Sequence, residues 1–296
     1  MTDGSIECGA REQPHESPVT RGRPQGFRSL DVRRVYVALI FVPVFYLLVR
    51  YLPPAAFFGL VVVVALSALI EFYRLHFHDR QSTATIVLGL TLAGILLISL
   101  NWPGAIAERW ALLLIATIPL ISRLSMPGDL RHCLLDSAVL TFGILYVALN
   151  LGHLVLTRAL PDGAFLILFV VLVTWAGDTG AYYAGTLLGQ RKLAPTVSPN
   201  KTVEGLVGGL LLALATALAA RAWFLPSFTV TDCLMTGFLL TCAGALGDLS
   251  ESALKRSAGV KDSGVFLPAH GGMLDRIDSL LFTAPTFYYY VTLIKG

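Results

Sequence analysis

Residues 163–186 read GAFLILFVVLVTWAGDTGAYYAGT, and this stretch decides what kind of protein the chain makes. From Phe165 to Trp175 it is apolar at almost every position. That is long for a buried strand and too uniformly apolar for the one-sided helix of a soluble domain. A bilayer core about 30 Å thick is crossed by roughly 20 such residues as a helix, which satisfies its backbone hydrogen bonds internally. The run then meets Gly177-Asp178-Thr179-Gly180-Ala181-Tyr182. A carboxylate at such a depth is costly and is a functional candidate, while its glycines let backbone approach a ligand closely. The plainer reading of Asp178 is a helix end facing water.

Eight more apolar runs flank this one, at 35–52, 55–74, 83–101, 108–122, 135–157, 203–225, 231–250 and 279–294. Turn formers separate them, among them Pro53-Pro54, Pro103-Gly104, Pro127-Gly128 and Pro161-Asp162-Gly163. The run at 108–122 is short and contains Pro119, which makes it the weakest span. Composition agrees with this layout. Of 296 residues, 55% are hydrophobic and 14% charged, and mean hydropathy is +0.70. Soluble domains carry about 25% charge, so an ordinary cytosolic enzyme and a disordered chain are both excluded. A net charge of +3 offers no basis for nucleic acid binding. The four cysteines, Cys8, Cys133, Cys233 and Cys242, lack the paired spacing of a metal or disulfide framework.

The expected fold is therefore all-α, a polytopic integral membrane protein with about nine transmembrane helices. Residues 1–32 are polar and rich in Pro, Gly, Arg and Glu. They lack the apolar core of a secretory signal and are too acidic for a mitochondrial transit peptide, so they read as a flexible cytoplasmic tail. Residues 33–296 are expected to form one transmembrane domain, the catalytic one if its motifs carry chemistry. With the N-terminus in the cytoplasm, Arg50, Arg109, Arg158, Arg221 and Lys295 fall outside, and the other 17 of the 22 Lys and Arg fall inside. The positive-inside rule favours this orientation and an odd number of spans. The two longest inside loops, 187–202 and 251–278, are dense in charge and glycine. Chemistry is expected where they meet.

The first of these loops ends in Ser198-Pro199-Asn200-Lys201-Thr202-Val203-Glu204-Gly205, which reads as a helix start with Glu204 in its first turn. Free N–H groups there suit phosphate, with Lys201 adding a point charge; a plain helix cap is the other reading. Asn200-Lys201-Thr202 also matches a glycosylation sequon, which the inside placement rules out. Gly205, Gly208 and Gly209 read as helix-packing positions. The second loop follows Gly247-Asp248-Leu249-Ser250-Glu251-Ser252, where continued helix puts Asp248, Ser252 and Lys255 on one face. Clustered carboxylates without a His/Cys ligand set suggest a hard cation such as Mg²⁺, and the adjacent Lys and Arg suggest phosphates. Together they point to metal-assisted phosphoryl or nucleotidyl transfer, without a GxxxxGK[ST] loop. His270 is the one histidine in a polar, glycine-rich setting, and reads as a ligand contact or as a structural hydrogen bond.

The pattern Ser252-x-x-Lys255-Arg256-x4-Lys261-Asp262-x5-Pro268-x-His270-Gly271-Gly272-x-x-Asp275-Arg276-x-Asp278 resembles the signature of the phosphatidate cytidylyltransferase (CDP-diglyceride synthase) family. Residues 177–182 and 198–205 are similar to that family too, so the specific resemblance covers about 175–278. It implies a membrane enzyme that turns CTP and phosphatidate into CDP-diacylglycerol and pyrophosphate. It also implies Mg²⁺, a second cation for which K⁺ is the candidate, and a homodimer. Asp248 and Asp275 fall at the family's metal-binding carboxylates. Lys201, Lys255, Arg256, Lys261 and Arg276 would screen the phosphates. His270, Gly271 and Gly272 would form a close-approach loop, and Asp178, Ser198, Asn200, Thr202 and Ser252 would complete the substrate pocket. Short loops favour a bacterial inner membrane, with the site facing the cytoplasm. Two alternatives stay open: a CTP-dependent transferase for another lipid phosphate, and an ion-coupled transporter.

Overall fold

A computed structural model describes residues 43–77, 83–125, 132–259 and 272–295. The tail 1–32, the start of the first apolar run, Lys261, His270 and Gly271 lie outside the described residues. Within them the order is α1 (43–51), α2 (Pro54–His76), α3 (Thr83–Asn101), α4 (Glu108–Ser125), α5 (Cys133–Gly143), a π turn (Ile144–Leu149) and α6 (Asn150–Ala159). There follow α7 (Gly163–Leu188), β1 (Lys192–Ala194), β2 (Ser198–Thr202), α8 (Val203–Trp223), α9 (Val230–Ser257), α10 (Leu274–Tyr289) and a closing π segment (Tyr290–Lys295).

Every apolar run that falls wholly within the described residues is helical. Six helical segments are long and apolar enough to cross a membrane: α2, α3, the continuous stretch Cys133–Ala159, α7, α8 and α9. The chain is thus a mainly helical integral membrane protein. Neither α4 nor α10 is among the six. Glu108, Arg109 and Arg123 lie within the 18 residues of α4, and α10 has 16 residues with Asp275, Arg276 and Asp278 in its opening turns.

The packing is that of a protein solvated by lipid. On α8 the buried positions are small, Gly205, Gly209, Ala213, Ala217 and Ala220, while Val207, Leu211, Leu212 and Leu218 face outward. Without a hydrophobic force between helices in lipid, close backbone approach and dispersion hold them together. The α7–α8 seam shows this directly. A methyl group added at Gly180 would stand 2.7 Å from the Gly208 carbonyl oxygen, and one at Gly209 would stand 2.7 Å from that of Gly177. Gly205, Gly208 and Gly209 are packing positions, as the sequence suggests.

Pro119 is accommodated rather than disruptive. It has no N–H for the Ile115 carbonyl, and the Thr141 hydroxyl of α5 donates to that oxygen instead, at 3.1 Å.

The helix start read within 198–205 is present, at Val203 with Glu204 in its first turn, and residues 198–202 before it form β2, antiparallel to β1. Pro199 biases Ser198 towards extended backbone, and the helix begins only at Val203. Thr202 is its N-cap, with Gly205 N–H donating to the Thr202 hydroxyl at 3.1 Å. Glu204, in the first turn of α8, also reaches back to the segment before the hairpin. It accepts from Gln190 and Arg191 N–H, tying the hairpin to the start of α8.

Gly209→Leu should force α7 and α8 apart and lower stability by about 1–3 kcal/mol. Thermal unfolding of the detergent-solubilised protein measures this, with Val207→Leu, on the outward face, expected to behave as the parent.

Candidate active site

Five elements bring charged groups together: the end of α2, the C-terminal half of α7, β2, the last turns of α9 and the first turns of α10. Lys201 of β2 reaches α9, where its Nζ lies 2.7 Å from Asp248 Oδ2 and 3.4 Å from the Ala245 carbonyl oxygen.

The α9–α10 contact is close because Gly247 has no side chain. A methyl group there would stand 2.5 Å from the Asp278 carbonyl oxygen. This sets Asp248 and Asp278 beside each other, and each lies within electrostatic reach of Asp178 on α7. The Ser279 hydroxyl, on α10, donates to Asp178 Oδ1 at 3.2 Å, and the Ser252 hydroxyl approaches Asp248 Oδ1 at 3.4 Å. Three carboxylates therefore face one ammonium group, that of Lys201. Asp178 is exposed despite its place in a long apolar helix, and the Asp248 side chain is 38% exposed.

A second cluster lies one turn further along α9. Lys255 Nζ stands 2.7 Å from both Glu251 Oε2 and Asp275 Oδ1. Asp275 Oδ2 accepts from Gly272 N–H at 3.1 Å. Glu251 is 1% exposed, and its other oxygen has no hydrogen-bond donor among the described residues. Asp248 and Asp275 thus belong to adjacent clusters, each carboxylate holding its own lysine. Arg256 and Arg276 are exposed at the rim of these clusters. On β2, Ser198 is half-buried and Asn200 exposed, while buried Thr202 uses its hydroxyl as the helix cap. Among the described residues no three His, Cys, Asp or Glu side chains close around a single point as a metal would require.

A family model described as the cytidylyltransferase family matches residues 32–294. The chain belongs to the cytidylyltransferase family. A phosphatidate cytidylyltransferase of Staphylococcus saprophyticus is 45% identical over 155 residues, which is 52% of this chain and 59% of that protein. One of Haemophilus influenzae is 39% identical over 202 residues, 66% of this chain and 67% of that protein. A protein of Escherichia coli strain K12, named only as uncharacterized, is 40% identical over 169 residues, 55% of this chain and 56% of that protein. The match to the first of these relatives spans less than two thirds of its length.

Three acids of this cytidylyltransferase-family site escaped the reading of the sequence as site residues: Glu71, Glu251 and Asp278. Glu251 and Asp278 stand inside the motifs at 247–256 and 252–278, but the sequence does not say which carboxylate meets which partner. Glu71 was missed outright, though a lone acid in the run LSALIEFYRL was a usable signal. It is 3% exposed. Its two oxygens accept from Met273 and Leu274 N–H, each at 2.9 Å, so it caps α10 from α2. These are orphan donors of the helix N-terminus, and a negative charge there also complements the helix dipole.

Glu71→Ala should leave both donors without this acceptor and cost about 1–3 kcal/mol. Glu71→Gln, which keeps one acceptor, should cost less. Lys255→Met should strand the buried Glu251 and the half-buried Asp275, and adding Glu251→Gln should recover part of the loss. Thermal unfolding of the three single variants and the double variant in detergent checks both orders.

Proposed function

We propose that this chain is a phosphatidate cytidylyltransferase, joining the phosphate of phosphatidate to the cytidylyl group of CTP and releasing pyrophosphate. The observation that carries the reading is the pair of lysine–carboxylate clusters, Lys201–Asp248 and Glu251–Lys255–Asp275, gathered at one end of lipid-facing helices. Named relatives of the same family support it. A lipid phosphate and a nucleoside triphosphate can meet at such a place, one from the bilayer and one from water.

A phosphate oxygen of phosphatidate attacks the α-phosphorus of CTP. As that P–O bond forms, the bond to pyrophosphate breaks and its electron pair leaves with pyrophosphate. The protein's part is positioning and charge neutralisation, and no covalent nucleophile is needed. Lys201, Lys255, Arg256 and Arg276, with Lys261, screen the phosphates. By the sequence pattern, close approach to the phosphates is assigned to His270, Gly271 and Gly272. Asp178, Ser198, Asn200 and Ser252 line the polar pocket, which Thr202 supports by holding the start of α8.

The donors around Asp248 are carboxylates in excess over cations, which suits a hard divalent ion. Asp248 is open to it, while Asp275 would join by exchanging its Lys255 contact. Bound Mg²⁺ would supply charge neutralisation at phosphate oxygens. A second cation, K⁺ being the candidate, would be accommodated by the remaining acids, Asp178 and Asp278. The chain works as a homodimer in a bacterial inner membrane, with nine spans, its N-terminus inside and its site facing the cytoplasm. A transporter reading is less favoured, because the charges gather at one end of the helices rather than at mid-depth.

CTP-dependent pyrophosphate release by the purified protein should require both phosphatidate and Mg²⁺. Asp248→Asn and Asp275→Asn should each lower it by about 100-fold or more, some 3 kcal/mol of barrier. Release with another lipid phosphate alone would reassign the substrate, and release with none would defeat the reading. In a cysteine-free background, a cysteine placed at Lys192 should be labelled by an impermeant reagent only from the cytoplasmic side. Labelling only from the other side would reverse the orientation.

A further inference from the structure

The π turn Ile144–Leu149 interrupts an otherwise regular α5–α6 helix. Such turns concentrate at functional sites because the inserted residue re-aims its neighbours. Here the turn contains Tyr146, which is 5% exposed and whose hydroxyl has no hydrogen-bond partner among the described residues. Other buried tyrosines are satisfied: Tyr73 donates to the Leu140 carbonyl at 2.9 Å and Tyr290 to Asp232 Oδ1 at 2.7 Å. Buried tyrosine hydroxyls usually find a partner, and leaving one unpaired is costly.

Tyr146 lines a cavity of about 830 Å³, within the size range of ligand sites. Phe142 and Leu149 continue its wall, Ala253 and Leu254 of α9 face them, and Phe282 of α10 closes one side. Phe142 stacks on Tyr146 with ring centroids 5.4 Å apart, and Phe282 meets it edge-on at 6.3 Å. Phe142 and Ala253 are exposed, so the cavity opens to the outside of the helix pack between these two helices. Its floor abuts the charged clusters: Ala253 and Leu254 occupy the same turns of α9 as Glu251 and Lys255, and Phe282 is one turn beyond Asp278.

The lining selects among occupants. It contains no Lys or Arg, which leaves nothing to hold a nucleotide or free phosphate. It is mainly aromatic and aliphatic, with Asn150, Ser250 and Ser257 as its other polar members beside the unpaired Tyr146 hydroxyl, and cations begin one turn away at Lys255. An amphiphile with an apolar body and an anionic head fits both halves. We propose that this cavity holds the glycerol backbone and upper acyl segments of a lipid monophosphate, with the Tyr146 hydroxyl donating a hydrogen bond to one of its ester or phosphate oxygens. The proposal rests on the cytidylyltransferase reading for the identity of the headgroup, and the cavity's occupancy is testable without turnover.

The first arm is photo-crosslinking of the full chain in nanodiscs with a phosphatidate carrying a diazirine near the carboxyl end of one acyl chain. Adducts should map to the walls around Tyr146, Leu149 and Leu254 and be displaced by unlabelled phosphatidate. Adducts mapping elsewhere would overturn the proposal. So would crosslinking of benzoylphenylalanine at position 142 to a second copy of the chain, which would make the cavity an interface. The second arm is kinetic. Tyr146→Phe, which removes one oxygen, should raise KM for phosphatidate about tenfold while KM for CTP stays unchanged. Ala253→Trp should do the same for long-chain phosphatidate and much less for a six-carbon diacyl form. An unchanged lipid KM in both variants, with active parent protein, would defeat the proposal while sparing the function. No turnover by the parent, with adducts still at the cavity walls, would defeat the function and keep the lipid site.

Discussion

The start of α10 is held by a carboxylate 202 residues earlier in the chain, and the charged end of the molecule depends on that contact. Glu71 accepts from Met273 and Leu274 N–H. With the helix start fixed, Asp275 meets Lys255, and Lys255 meets Glu251. One turn on, Asp278 lies against Gly247, and Ser279 donates to Asp178. Four helices are thereby registered to one another at a single level. Buried charge is costly unless paired and hydrogen-bonded, so these links form a set in which each member's placement requires the next.

Packing away from that end obeys a different physics. Lipid tails are as apolar as leucine, so burying a large side chain between helices yields little that lipid contact does not. The α7–α8 seam accordingly buries glycine and alanine and turns Val207 and Leu211 outward. Small residues allow backbones to approach, and the same device recurs at Gly247, where it serves chemistry. A residue needed for close packing and a residue needed for charge stand side by side in Gly247-Asp248, and the first sets the position of the second.

The hairpin of β1 and β2 is the small irregular part of a helical protein, and it carries Lys201. A helical start at Ser198 would have carried that ammonium group along a helix face; extended backbone, enforced at Pro199, lets it cross to α9 instead. Thr202 and Glu204 then hold the hairpin to α8 from either side of the helix start. In the proposed reaction this matters because the cation opposite Asp248 comes from a loop rather than from a neighbouring turn of the same helix.

How much of this was legible in advance follows from the range of each interaction. Long apolar runs, their Pro and Gly breaks, and the motif from Ser252 to Asp278 are properties of consecutive residues. Partition into lipid, helix formation and i, i+4 placement act over the same short distances, so the sequence by itself determined the six long apolar helical stretches, the one-faced set Asp248, Ser252 and Lys255, and the family. Pairings across helices have no such local signature. That Asp248 meets Lys201, that Asp275 meets Lys255 instead of joining Asp248, and that Glu71 caps α10 depend on helix register and on glycine seams that bring backbones together. Those were decided only by the tertiary structure, because Coulomb and hydrogen-bond energies depend on distances between segments far apart in the chain.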